Sequence, residues 1–165
     1  MNIDEFKLQV FTLKDKLYRF SNRIINDDVE AQDVTQDVLI KLWNMRKELH
    51  KYNSIEALAM TTVRNLSLDR ARKKNLRYNK MPEIKYETDT VDSRDVLENK
   101  ELGVIIRNAI GNLTEPQRTI MHLRDIEELS FEEIEPIVKM DTKTIRVYLS
   151  RARKKVREEL KVKLK

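Results

Sequence analysis

The sequence predicts an all-α protein made of two small helical domains joined by a flexible linker, the second containing a helix-turn-helix. Only two glycines and three prolines interrupt 165 residues that are rich in leucine, glutamate, lysine and arginine, which favours helix nearly throughout. The helical period is lost between residues 75 and 92, a stretch of mixed charge that includes Pro82, so we expect the linker there. The predicted domains are residues 1–74 and 93–165.

Three helices are predicted in the first domain. Apolar residues three and four positions apart indicate a long helix from Phe6 to about Asn26 and a second from about Val29 to Leu49. The third begins after Ser54 as N-cap and runs to about Lys74. The residues expected on the inward faces are Val10, Leu13, Leu17, Phe20 and Ile24, then Ala31, Val34, Val38, Leu42, Met45 and Leu49, then Leu58, Thr62 and Leu66.

Capping residues mark the helix starts of the second domain. Ser93 is the predicted N-cap of the first helix, and capping boxes begin at Thr114 and Ser130. The second box opens a short helix over residues 131–139, which is followed by a turn and a longer helix, as in a helix-turn-helix. The residues expected to face the core are Leu97, Leu102, Ile105, Ala109 and Leu113, then Phe131, Ile134 and Val138.

Charge is segregated along the chain. Net charges of −1, +6, −8 and +8 fall on residues 1–63, 64–85, 86–138 and 139–165. Two basic blocks separated by an acidic one predict a polyanion that is bound at two places. Solvated helix faces that happen to be basic are the alternative.

Composition argues against several other classes of protein. The chain has no cysteine and two histidines, and it has no glycine-rich phosphate loop, so we expect no catalytic residue, no metal and no cofactor. Its start is acidic and polar, and no apolar run approaches about 18 residues, so we expect neither a signal peptide nor insertion into a membrane. The expected location is the cytoplasm.

The last helix has the pattern of a DNA-reading helix. Ile145, Leu149, Ala152 and Val156 lie within about 60° of one another at 100° per residue, which predicts one buried stripe. Cations on the other side suit a major groove, because they neutralise phosphates and arginine can read guanine edges. A generic amphipathic helix is the alternative. The outward residues are Lys143, Arg146, Ser150, Arg151, Arg153, Lys154 and Arg157.

Three motifs in this domain are specific: Leu-Thr-Glu-Pro-Gln-Arg, Glu-Leu-Ser-Phe-Glu-Glu-Ile and Thr-Ile-Arg-Val-Tyr-Leu-Ser-Arg-Ala-Arg-Lys-Lys-Val-Arg. Through them residues 113–157 resemble the carboxyl-terminal domain of the extracytoplasmic-function sigma factors. The resemblance implies that the helix from Thr142 reads the minus-thirty-five promoter element and that residues 113–124 lie on the flap of the polymerase β subunit. The implied DNA contacts are Lys143, Thr144, Arg146, Ser150, Arg151 and Arg153.

Two residues depart from the pattern of that family. Pro136 lies inside the first helix of the motif, so we expect it in an early turn or at a bend. Lys139 stands where the family commonly has glycine, so Asp141 or a neighbour is expected to accommodate the tight turn.

The first domain contains two further segments that resemble the family. Residues 27–43 are similar to the sigma segment that docks on the clamp helices of the polymerase β′ subunit, which implies that Asp33, Gln36 and Asp37 contact the core enzyme. Residues 60–74 resemble the segment that melts and reads the minus-ten element. By that resemblance the non-template strand is contacted by Asn65 and Leu68, and its backbone by Arg64, Arg70, Arg72, Lys73 and Lys74.

The loop before this last segment is implied to hold a flipped base. His50 and Tyr52 are candidates to stack on that base, and structural roles for them are equally open. Leu58 occupies the position of a tryptophan that is usual in the family, so an aromatic surface is missing at the implied melting site.

The sequence therefore predicts a bacterial sigma factor and no enzyme. The implied partners are RNA polymerase core, promoter DNA and an anti-sigma factor. The alternative is a stand-alone helix-turn-helix regulator, which explains residues 113–165 but leaves the segment from Asp33 to Trp43 without a role.

Overall fold

The computed structural model describes residues 1–78 and 94–164, which fall in two compact units. The units divide between Glu83 and Ile84, inside the segment predicted as a linker. Helices dominate the described residues, which include no strand, and this confirms the all-α class. None of the described helices is apolar over a length that could cross a membrane. The predicted cap Ser93 lies outside the described residues.

Each unit contains four α-helices within the described ranges. The first unit has α1 (Ile3–Gln9), α2 (Lys14–Ile25), α3 (Asp28–Asn44) and α4 (Ile55–Tyr78), with 3-10 turns at Phe11–Leu13 and Leu49–Lys51. The second has α5 (Arg94–Gly111), α6 (Glu115–Met121), α7 (Phe131–Val138) and α8 (Thr142–Lys163), with a π-helical turn at His122–Ile126.

The predicted long first helix is wrong, because the chain forms two helices separated by a 3-10 turn. Asn2 starts α1 with a capping box in which its side chain accepts from Glu5 N at 2.8 Å. The Thr12 hydroxyl donates to the carbonyl oxygen of Leu8 at 2.9 Å, a bond that competes with the helical ladder and bends helices. Asn26, in the left-handed region at φ 55°, ends α2 where the sequence predicted.

The bounds of α3 and α4 also differ from the prediction. Helix α3 ends at Asn44 rather than Leu49, where the Arg46 guanidinium lies 4.1 Å from the Trp43 ring and donates to the Trp43 carbonyl at 2.9 Å. Helix α4 starts after Ser54, whose hydroxyl accepts from Ala57 N at 3.0 Å as a cap residue does. It continues to Tyr78, so the first four residues of the predicted linker are helical.

The core of the first unit lies between α2, α3 and α4. The predicted stripes on α2 and α3 are confirmed at Leu17, Phe20, Val34 and Leu42, which are fully buried. On α4 the predicted face is wrong by about one position. Leu58, Thr62 and Leu66 are half-buried, and the residues that pack inward are Ala59, Met60, Val63 and Ser67.

The core of the second unit joins α5 to α8. Ala109, Ile110 and Leu113 pack against Ala152 and Val156, with Ile106 and Leu160 at the margin. The predicted face of α5 is therefore only partly right, because Leu102 is 39% exposed. Both capping boxes are present at the starts of α6 and α7.

Pro136 is the sixth residue of α7 and not part of its first turn, so the expected early position is wrong. Its exposed ring lacks the amide that would bond to the carbonyl of Glu132, four residues earlier. Because α7 ends two residues later, at Val138, the missing donor interrupts little of the helix.

Lys139 itself, rather than Asp141, takes the left-handed conformation of the turn, with φ 56° and ψ 45°. Its amide donates to the Glu135 carbonyl at 2.8 Å, which closes α7. Asp141 instead caps α8 by accepting from Thr144 N at 2.7 Å, and hydrogen bonds from Thr144 lower the pKa of its carboxyl. The Glu135 carboxylate accepts from Thr142 N at 2.8 Å and fixes the other side of the turn.

We expect Lys139→Gly to stabilise the protein by about 0.5–1 kcal/mol, because glycine has no Cβ to crowd the carbonyl in this conformation. Urea unfolding followed by circular dichroism measures the change. Lys155→Gly, at an exposed interior position of α8, is the matched control and should cost about 1 kcal/mol. A loss of stability in Lys139→Gly would contradict this account of the turn.

Candidate nucleic-acid and protein interfaces

Helix α3 presents a mixed acidic and apolar face to solvent. Val29, Asp33, Gln36 and Ile40 follow at spacings of four, three and four, which places them within about 60° of one another. Val29 is 76% exposed and Ile40 is 58% exposed, while Asp37 lies exposed at the edge of the stripe. Sequence reasoning selected the polar residues and missed the two apolar ones, although their spacing was the available signal.

Arg70 on α4 is bound by three carboxylates of α3. Its Nη1 lies 2.7 Å from Glu30 Oε2 and 2.8 Å from Asp33 Oδ2, and its Nη2 lies 3.0 Å from Asp37 Oδ2. Hydrogen bonds to Glu30 and then Asp33 raise the pKa of the guanidinium. A residue expected on the DNA backbone thus contacts two residues expected on the polymerase.

A second ion pair joins the same two helices one turn further along α4. Lys74 Nζ lies 3.0 Å from Asp27 Oδ2. Asp27 is also the N-cap of α3, and its carboxylate accepts from Glu30 N at 3.1 Å. These contacts, with the backbone bond first, lower the pKa of the Asp27 carboxyl. Lys74, like Arg70, therefore lies toward α3.

The remaining residues predicted for the minus-ten element fall into an exposed group and a half-buried group on α4. Asn65, Arg72 and Lys73 are exposed and lie within about 100° of one another. Arg64 and Leu68 are half-buried at the flank of that face. In the loop before α4, His50 and Tyr52 are both exposed. The structure therefore groups three of the predicted residues on one polar, cationic face, and we call Asn65, Arg72 and Lys73 the α4 face.

Helix α8 has the predicted division between a buried stripe and a cationic face. Ile145, Leu149, Ala152 and Val156 are buried, which confirms the predicted stripe. The predicted contacts Lys143, Thr144, Arg146, Ser150, Arg151 and Arg153 are all exposed.

Two of these arginines contact other parts of the same unit. The guanidinium of Arg146 lies 4.9 Å from the centroid of the Phe131 ring, and that of Arg124 lies 4.3 Å from it. Arg153 donates to both oxygens of Asp125, with Nε at 3.1 Å, and this pairing raises its pKa. Through these contacts the exposed side of α8 meets α7 at Phe131 and the π-helical turn at Asp125.

A buried polar pair anchors the π-helical turn. His122 Nε2 lies 3.3 Å from Glu127 Oε1, and their side chains are 2% and 1% exposed. Half of residues 113–124, the segment expected on the polymerase flap, are buried, and Arg118 and Arg124 are among the half-buried ones. Sequence reasoning missed this pair, because one histidine among several acidic residues does not indicate which carboxylate it contacts.

Within residues 1–78 and 94–164, no group of three or more histidine, cysteine, aspartate or glutamate side chains is placed to hold a metal ion. The carboxylates of α3 are instead engaged by Arg70 and Lys74.

Comparisons with known proteins match both units. Residues 11–77 match the family model of sigma-70 region 2, and residues 103–156 match that of sigma-70 region 4. The ECF RNA polymerase sigma factor SigW of Bacillus subtilis is 27% identical, over 96% of this chain and 90% of its own length. The RNA polymerase sigma-H factor of Pseudomonas aeruginosa is 26% identical, over 94% of this chain and 86% of its own length.

A solved structure shows a similar fold. The sigma factor RpoE of Bartonella quintana, crystallised with the anti-sigma factor NepR, matches with a TM-score of 0.77 at 22% identity. The match covers 97% of this chain and 99% of that one.

A region 2 domain followed by a region 4 domain with a helix-turn-helix defines the class of a sigma-70 type transcription factor. Within that family, the chain belongs to the extracytoplasmic-function sigma factors.

The Arg153–Asp125 pair should contribute little more than about 0.5 kcal/mol to stability, because both side chains are partly exposed. A double-mutant cycle with Arg153→Ala and Asp125→Ala, followed by urea unfolding, measures this coupling. A coupling above about 1.5 kcal/mol would contradict this expectation, because an ion pair exposed to water contributes less than that.

Proposed function

We propose that the chain directs bacterial RNA polymerase core to specific promoters and assists strand opening during transcription initiation. The observation that carries the proposal is the presence of three differently composed surfaces. The α4 face is cationic, and so is the exposed side of α8 that carries Lys143, Arg146 and Arg151, whereas the outer face of α3 is acidic and apolar. A protein that bound only DNA would have no use for the α3 surface.

The α3 surface suits a basic protein partner. Asp33, Gln36 and Asp37 supply acceptors, and Val29 and Ile40 supply apolar area that is removed from water on docking. The matching family segment docks on the clamp helices of the β′ subunit, so we assign these residues to the polymerase core. Arg118 and Arg124 are the accessible cations for the β flap.

The α8 surface suits duplex DNA. Lys143 and Thr144 lie in the first turn of α8, where the Asp141 carboxylate accepts from Thr144 N. The exposed ammonium of Lys143 is the group in this turn that can neutralise a phosphate. Arg146, Ser150 and Arg151 follow on the exposed side and reach the groove. We assign this surface to the minus-thirty-five element, with Arg153 paired to Asp125 at its edge.

The α4 face suits an unpaired strand. Arg72 and Lys73 neutralise phosphates, and Asn65 supplies both a donor and an acceptor to an exposed base edge. Tyr52 offers a ring, 43% exposed, on which a base can stack. We assign this face to the minus-ten element of the non-template strand, with Leu68 and Arg64 at its margin.

This assignment requires no catalytic activity, metal or cofactor from the chain. The proposed location of the chain is the bacterial cytoplasm, where the polymerase acts. Relatives of this kind include a factor crystallised with an anti-sigma protein, so an anti-sigma factor is a proposed partner here too. A stand-alone regulator is not favoured, because it leaves the α3 surface unused.

Asp37→Arg should weaken binding to core polymerase at least about tenfold, because it opposes basic groups of the partner with a like charge. Affinity chromatography on immobilised core enzyme measures the loss. Asp15→Arg, an equal charge change at an exposed position of α2, is the matched control and should bind normally. Normal binding by Asp37→Arg would remove α3 from the polymerase interface.

Arg146→Ala should reduce run-off transcription about tenfold or more from promoters with a good upstream element, because one bidentate base contact is lost. Lys155→Ala, exposed on the opposite flank of α8, is the control and should retain most of the output. Equal output from Arg146→Ala and wild type would exclude this contact.

A further inference from the structure

Arg70 lies between the two functional surfaces of the first unit. It belongs to α4, as do Arg72 and Lys73, yet its guanidinium contacts Glu30, Asp33 and Asp37 of α3. Asp33 and Asp37 are also the carboxylates that the proposed function assigns to the polymerase core. The same acidic groups therefore have two possible cationic partners, Arg70 and a basic residue of the polymerase.

The strength of these contacts decides whether Arg70 can exchange partners. The Arg70 side chain is 33% exposed, and the three carboxylates are between 42% and 55% exposed. Ion pairs this accessible to water contribute little to stability, so a cation brought by a partner can replace the guanidinium without disrupting the fold. A buried pair would have been too costly to separate.

Arg70 lies close to the α4 face as well as to the α3 carboxylates. It is three residues from Lys73 and about 60° from it around the helix, next to the α4 face. A long arginine side chain released from α3 can reach a phosphate bound by that face, where it adds one positive charge.

We infer that Arg70 couples the two surfaces. In the free chain the α3 carboxylates hold it, and when a basic partner occupies those carboxylates the guanidinium moves to the backbone of single-stranded DNA. This inference rests on the proposed function of α3 and α4. It adds that binding of a basic partner to the α3 carboxylates increases the affinity of the α4 face for single-stranded DNA, and that the Arg70 side chain alone transmits this effect.

The direct test is Arg70→Gln, measured in the free chain and in the holoenzyme. The probe is a fluorescein-labelled single-stranded oligodeoxynucleotide with the non-template sequence of a promoter that the holoenzyme uses, titrated at several salt concentrations. In the holoenzyme the variant should reduce the slope of log affinity against log salt by about 0.7, the loss of one phosphate contact. In the free chain the reduction should be clearly smaller.

Lys73→Gln is the matched control, because Lys73 is 69% exposed and 3.7 Å from its Asp69 neighbour. It should reduce the slope equally in the free chain and the holoenzyme. An equal reduction by Arg70→Gln in both would show that α3 never sequesters the guanidinium. No reduction in the holoenzyme would show that Arg70 never reaches DNA, and either result overturns the inference.

The converse variant tests the same exchange without the polymerase. Glu30→Gln combined with Asp33→Asn and Asp37→Asn removes all three carboxylates that contact Arg70. This triple variant should release Arg70 and steepen the slope of the free chain by about 0.7, but not when Arg70→Gln is also present. Asp28→Asn, an α3 carboxylate bound by Tyr18 and Asn22, should have no such effect. An unchanged slope in the triple variant also overturns the inference. Core binding by wild type, measured in parallel, separates this failure from failure of the proposed function.

Discussion

The packing of α4 against α2 and α3 is the constraint on which the first unit depends. Burial of Leu17, Phe20, Val34, Leu42 and Met60 fixes which sides of α3 and α4 remain outside. A hydrogen bond of 2.8 Å between the buried hydroxyls of Ser21 and Ser67 joins α2 and α4 directly. Because these contacts fix the helices, the acidic face of α3 and the cationic face of α4 stay adjacent, with Arg70 at their common edge.

In the second unit, a buried stripe and a tight turn together determine which side of α8 is exposed. The stripe from Ile145 to Val156 holds α8 against the core, and the left-handed Lys139 sets the angle at which α8 leaves α7. At the sides of α8, Arg153 contacts Asp125 and Arg146 contacts Phe131. A rigid helix with its cations aligned loses less freedom on binding a groove than a mobile one would.

Much of this architecture follows from local sequence signals. The helical class, the caps at Ser54 and Ser130 and the buried stripe of α8 were all predictable, because each depends on residues within a turn or two of one another. The end of α3 was missed, since no glycine or proline marks it, and the contact of Arg46 with Trp43 beside it is visible only in the structure.

The ion pairs that the candidate site residues form within the chain could not be predicted from the sequence, for a physical reason. Arg70 lies 33 residues from Asp37 and Arg153 lies 28 residues from Asp125, so only the tertiary fold brings them together. From the sequence alone, a charged residue in a binding motif is predicted to contact the ligand. Its partner within the same chain becomes visible only in the structure. That is why Arg70 and Arg153 acquire different roles from Arg72 and Arg151.

The central claim is that DNA recognition by this chain works through the polymerase. Transcription of fragmented bacterial genomic DNA by core enzyme, with and without the purified chain, tests it most directly when start sites are mapped by sequencing. The account predicts discrete new start sites that share upstream elements and appear only when both components are present. Selective binding of fragments by the chain alone, with no new start sites in the presence of core enzyme, would contradict it.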